Sequence, residues 1–141
     1  MSLSPADELA ILQLLYKYSH LLDSADGEGW ASLFTDDGEF VEPEATRKGH
    51  AELAELARTH HRDHEGASSS QHWVHSPVIT GDGDRAQVTA YVIVFKRAEP
   101  SGVRGLVMGS YRDELIRDAD RGWLFKRRVV LRPHREEFAG R

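Results

Sequence analysis

Three short runs in this chain carry residue types that could move a proton or hold a metal. The first is Tyr18-Ser19-His20-Leu21-Leu22-Asp23, a phenol and a carboxylate near the end of an apolar helical pattern. Asp23 reads either as a helix-terminal turn former or as a carboxylate needing a partner, because burying it unpaired is costly. At 100° per residue, Tyr18 and Asp23 sit about 140° apart on an ideal helix, whereas Tyr16 lies nearly on the Asp23 face. Helical spacing alone therefore favours Tyr16; Tyr18 and Asp23 share one cavity only if the helix ends before Asp23. The second run is Gln71-His72-Trp73-Val74-His75-Ser76, with strand character. Alternation puts His72, Val74 and Ser76 on one face and Trp73 and His75 on the other, without saying which is inward. A histidine in an apolar cavity is suited to shuttling a proton near neutral pH, and a nearby carboxylate would fix its tautomer. The bland alternative is a surface or hydrogen-bonded strand histidine. The third run, Thr59-His60-His61-Arg62-Asp63-His64, places His60 and His64 one helical turn apart, a spacing that can bind a metal. No third ligand is evident, and Arg62, Asp63 and Glu65 read as a solvated face, so no metal is expected.

These groups need elements to hold them. Ser4-Pro5-Ala6-Asp7 is a helix start, with Ser at the cap and an acid three residues later. Leu9, Leu12, Leu15, Tyr16, Ser19 and Leu22 recur at helical spacing, and Ile11, Leu14 and Tyr18 widen the stripe, predicting a well-buried helix to about Asp23. After Asp26-Gly27-Glu28-Gly29 a short helix is expected over Trp30–Phe34, then a turn at Thr35-Asp36-Asp37-Gly38 and a short strand over Glu39–Glu42. Leu53, Leu56 and Ala57 mark an amphipathic helix from Gly49 to about His64, followed by a Gly66–Ser70 loop. Gln71–Thr80, Arg85–Arg97, Val103–Arg117 and Trp123–Leu131 read as strands. They are separated by Gly81-Asp82-Gly83-Asp84, Glu99-Pro100-Ser101-Gly102 and Asp118–Gly122. Helices early and long strands late predict an α+β fold, with helices packed on one face of a curved, mostly antiparallel sheet and a cavity between them.

Composition excludes several classes. The 141 residues suit one domain spanning 1–141, and 18 Lys+Arg against 23 Asp+Glu give a net charge of −5, not the basic footprint of a nucleic-acid binder. Lys126-Arg127-Arg128 alternates across a strand and is too small a patch for nucleic acid. There is no cysteine, so disulfides, thiolate catalysis and Cys-ligated zinc are excluded. No apolar run approaches the roughly 20 residues of a membrane span, and the N-terminus lacks signal-peptide features, so a cytoplasmic location is expected. Neither a Gly-rich phosphate loop nor a G-x-S-x-G elbow is present.

Across nearly its whole length the chain resembles the SnoaL-like branch of the nuclear-transport-factor-2-like superfamily, the cone-shaped α+β group that includes polyketide cyclases, scytalone dehydratase, ketosteroid isomerase and bile-acid dehydratases. The markers are Tyr18-x4-Asp23, Asp26 with Trp30, Leu33-Phe34-Thr35-Asp36-Asp37, Gly49 opening a helix, Gln71-His72, Tyr111-x-Asp113, and Gly122-Trp123 with Arg127-Arg128. The resemblance implies that Tyr18, Asp23 and His72 line a cavity. His72 would be a base beside a substrate carbonyl, Asp23 its orienting partner, and the Tyr18 hydroxyl the stabiliser of the enolate oxygen. Dehydration or isomerisation would follow with no metal and no organic cofactor. The chain departs from its relatives in three places. Leu22 fills the slot where scytalone dehydratase-type chains carry Tyr. Ser76 stands where many carry Asn, and Val88–Phe95 lacks the carboxylate of bile-acid dehydratase-type members.

The expected lining is Trp30, Phe34, Phe40, Val74, Ser76, Tyr91, Phe95 and Met108, fitting a small, hydrophobic, polycyclic or aromatic carbonyl compound. A homodimer is expected, with a trimer as the alternative order, since a chain of this size would struggle to hide both sheet faces. The competing reading is a non-catalytic ligand carrier, or an oligomer-forming subunit like the small subunit of ring-hydroxylating dioxygenases.

Overall fold

The computed structural model of the chain describes residues 2–60, 70–97 and 101–132. Its first element follows from the cap. The Asp7 N–H donates to Ser4 Oγ and the Ser4 N–H to the Asp7 carboxylate, satisfying two exposed donors and starting α1 over Pro5–Asp23. Its buried stripe is Ile11, Leu14, Leu15, Tyr18, Ser19 and Leu22, spaced by three and four residues. Leu9 and Tyr16, counted into the stripe from the sequence, are instead exposed on its flank.

The second helix begins earlier than expected. Asp26 caps it by accepting from the Gly29 N–H, so α2 runs over Gly27–Ala31 and the residues read as punctuation are its first turn. The expected turn at Thr35–Gly38 is absorbed into β1 (Phe34–Val41). There Phe34 pairs with Phe125 and Glu39 with Arg127, so five steps along β1 match two along its neighbour and the polar residues form a wide irregularity. A short β2 (Thr46–Lys48), not anticipated, pairs back on β1. Next come α3 (His50–Thr59), β3 (Ser70–Asp82), β4 (Arg85–Arg97), β5 (Val103–Asp118) and β6 (Gly122–Leu131). The helical reading of 61–64, the loop at 66–69 and the Glu99-Pro100 turn lie outside the described residues.

The described strands form one curved sheet in the order β2-β1-β6-β5-β4-β3. Every pairing is antiparallel except β1 with β6. Helices pack on the concave face over a core whose centre is aromatic: Tyr18, Trp30, Phe34 and Phe125 follow one another at centroid distances of 5.4, 5.0 and 5.2 Å. Alternation along β4 sends Ala86, Val88, Ala90, Val92 and Val94 inward. Among the described residues no helix is long and apolar enough to cross a membrane.

Candidate active site

A cavity of about 280 Å³ opens between the helices and the concave face of the sheet. Leu22, Trp30, Phe40, Leu56, Val92 and Val130 make much of its wall apolar. Against this wall stand Tyr18, Tyr111, His60, His72, Glu42 and Arg132. The clearest polar feature joins two segments 49 residues apart. Nδ1 of His72 lies 2.6 Å from Oδ1 of Asp23, and the His72 backbone N–H donates to both carboxylate oxygens at 3.2 and 3.1 Å. A carboxylate only accepts, so this contact puts the ring proton on Nδ1 and leaves Nε2 as the lone-pair nitrogen of the neutral ring.

This arrangement resolves the helical-phase conflict. α1 continues through Asp23, so Tyr18 and Asp23 do point in different directions. Tyr18 enters the cavity wall, whereas Asp23 stands behind His72 and does not line the cavity. Only the imidazole has to reach inward. Tyr16 is 43% exposed and faces away.

The structure places the other expected lining residues unevenly. Trp30 and Phe40 line the cavity. Phe34 is fully buried but wedged between Trp30 and Phe125, one layer deeper. Val74 shares the inward face with His72 and packs against the core away from the cavity. Ser76 is turned outward by a bulge: His75 pairs with Tyr91 and Val78 with Thr89, an extra residue on β3, and Ser76 itself has φ 51. Tyr91 and Met108 are each 64% exposed on the convex face, where Phe95 also lies, edge-on to Trp73 at 4.8 Å. Their strands present the opposite parity to the cavity, through Val92, Val94 and Val107. A second bulge, leaving Leu106 extra between the Val94–Val107 and Phe95–Gly105 pairs, brings Leu106 into the lining as well. His60 is at the cavity, His64 lies outside the described residues, and no cluster of three metal-ligating side chains occurs among the described ones.

Sequence reading missed what stands behind the two phenols. Arg128 is wholly buried, donating from Nε and Nη2 to the two oxygens of equally buried Asp113 at 2.7 and 2.8 Å. Its guanidinium carbon lies 3.7 Å from the Tyr111 ring centre, 4.2 Å from Tyr18 and 4.5 Å from Phe125. Burial works against this charge, but Asp113 more than compensates and raises the guanidinium pKa. The available signal was register: Tyr111-x-Asp113 and Arg127-Arg128 are hairpin partners, and Asp113 pairs directly with Arg128. At the cavity, Arg132 is held by Glu42 at 2.7 Å and by Glu44.

Burial pushes both phenols up, Tyr18 well above its ordinary value and Tyr111 to about 12, with Arg128 pulling the other way. Both are therefore neutral hydrogen-bond donors at working pH, not bases. A raised folded-state value means stability fully present below pH 10.0 and lost as pH rises toward about 12. We expect phenolate absorbance from these two residues to appear only as circular dichroism reports alkaline unfolding. Their ionisation near pH 10.0 with the fold intact would contradict the burial described.

A curved sheet with helices closing a cavity on its concave side is the cystatin-like arrangement of the nuclear-transport-factor-2-like superfamily. The model of the SnoaL-like domain matches residues 4–129, and the chain belongs to that family. None of the curated proteins is similar enough in sequence to match it. Among solved structures, a protein of unknown function from Mycobacterium tuberculosis is 29% identical, with TM-score 0.78 over 90% of this chain and 75% of that one. A nuclear-transport-factor-2-like protein with a cystatin-like fold from Novosphingobium aromaticivorans is 27% identical, with TM-score 0.81 over 89% and 80%. A third, from the same organism and provisionally assigned as a scytalone dehydratase, is 24% identical, with TM-score 0.73 over 89% and 83%.

Proposed function

We propose that the protein is a cofactor-independent acid/base lyase or isomerase acting on a small hydrophobic hydroxy-carbonyl compound. The observation that carries this reading is the Asp23–His72 contact at the wall of an apolar cavity. Nε2 of His72 removes a proton from the carbon next to the substrate carbonyl, and Asp23 holds the ring and stabilises the imidazolium that forms. The electrons move onto the carbonyl oxygen, where a neutral phenol, Tyr18 or Tyr111, donates a hydrogen bond to the developing enolate. The buried Arg128 charge, stacked behind both rings, makes them better donors. From the enolate, a β-hydroxyl leaves as water or the proton returns to another carbon. The apolar lining accepts an aromatic or alicyclic body, and the small volume favours one or two rings. A neighbour provisionally assigned as a scytalone dehydratase is consistent with this class of chemistry.

The test is solvent-deuterium exchange next to the carbonyl, together with water loss, across a panel of hydroxy-ketones headed by 4-hydroxy-4-phenylbutan-2-one. Wild type should catalyse exchange and His72→Gln should not. Catalysis that persists in His72→Gln would overturn the assignment, and a panel inert with wild type would favour the non-catalytic carrier. The homodimer expected from the sequence would cover Trp73, Tyr91, Phe95 and Met108 on the convex face. Sedimentation as a monomer at micromolar concentration would count against it.

A further inference from the structure

The cavity holds a second imidazole that the scheme above leaves unused. His60 closes the C-terminal end of α3 with helical backbone angles, φ −52 and ψ −37. It lines the same cavity as His72, with ring centroids 5.0 Å apart and planes inclined at 46°. The two sites differ in their electrostatic support. His72 faces a full carboxylate at 2.6 Å, whereas His60 sits at the carbonyl end of a ten-residue helix. Two imidazoles this close at one cavity can divide the proton-accepting and proton-donating steps of a single reaction between them.

We infer that His60 is the general acid of the reaction, which makes the preferred substrate a β-hydroxy carbonyl compound and the reaction a dehydration. This rests on the reading of His72 as the base. His72 Nε2 takes the α-proton, and the C–H electron pair passes through the enolate into a new Cα=Cβ double bond. The Cβ–O bond breaks, and its electron pair leaves on the hydroxyl oxygen, which takes the proton from His60. The products are an α,β-unsaturated carbonyl compound and water. His72 ends protonated and His60 neutral, so the net proton transfer runs from the helix end to the ring backed by Asp23, and exchange with solvent resets the pair. A metal is not needed to activate the leaving group, because the acid supplies the proton that makes hydroxide leave as water.

The experiment uses 4-hydroxy-4-phenylbutan-2-one and its acetate ester, whose acetate leaves without a proton. For the alcohol, His60→Gln should raise the ratio of deuterium exchange to elimination by about 10²–10⁴-fold over wild type. In the same preparation, the acetate should be eliminated far better than the alcohol, a preference that a partly misfolded sample cannot mimic. Equal losses for alcohol and acetate, or an unchanged ratio, would overturn the role of His60. Exchange that survives in His72→Gln would sink the base instead, so the two failures are distinct.

Discussion

Arg128→Ala should lower the unfolding free energy by about 3–5 kcal/mol, the usual cost of removing one partner from a buried ion pair. The reasons are local. The Asp113 side chain has no exposed surface and takes two hydrogen bonds from the guanidinium, so truncation leaves a buried carboxylate without its charge partner. The same change opens a void among Tyr18, Tyr111 and Phe125, which the guanidinium carbon approaches within 4.5 Å. Such a loss is a large share of the roughly 5–15 kcal/mol that holds a domain folded. Arg128→Lys keeps the charge but loses the fork, and should fall between the alanine variant and wild type. The double variant Arg128→Met/Asp113→Leu should recover most of the loss, because it removes both charges and refills the volume. Urea unfolding of the four proteins is the check. A single-variant cost below about 1 kcal/mol, in the range of an exposed pair, would show that the pair is solvated in solution.

On the proposed mechanism, His72→Ala should slow α-proton exchange by about 10²–10⁴-fold while the protein stays folded. Asp23→Asn is the sharper probe, because it changes hardly any volume. With its oxygen in the place of Oδ2, the asparagine still accepts the His72 backbone N–H and turns its amide nitrogen, a donor only, toward Nδ1; with its oxygen in the place of Oδ1 it keeps the present tautomer. In the first orientation the ring proton moves to Nε2, and the atom proposed as the base becomes a donor. Exchange should fall nearly as far as in His72→Ala, with imidazole nitrogen shifts reporting the tautomer change. An Asp23→Asn variant with full activity would remove Asp23 from the mechanism.

Much of the architecture was legible because it is written in local chemistry. The Ser4–Asp7 cap, the Gly83 turn at φ 61 and the alternation of β4 each follow from neighbouring residues. The pairing of Asp23 with His72 came from a resemblance between ordered motifs, since no local rule joins residues 49 apart. The inward parity of the sheet was not legible. The polar alternates of β4 stop at Thr89, and toward the cavity both its faces are apolar, with Val92 and Val94 against Tyr91 and Phe95, so reading the larger rings as lining chose the wrong face. The concave face is already crowded by Tyr18, Trp30 and Phe40 from other elements, so the strand contributes small aliphatic residues there. Bulges at Ser76 and Leu106 then shift the phase within a strand, which alternation cannot anticipate.

The parallel pairing of β1 with β6 also has a consequence for biosynthesis. β1 emerges early from the ribosome, yet its central partner is the last of the described strands, and Phe34 is covered by Phe125. Until residues through Leu131 are available, the nascent chain exposes the aromatic side chains that later form its centre. Chaperone engagement during translation should therefore persist until β6 arrives, and release should coincide with that strand rather than with completion of the helices.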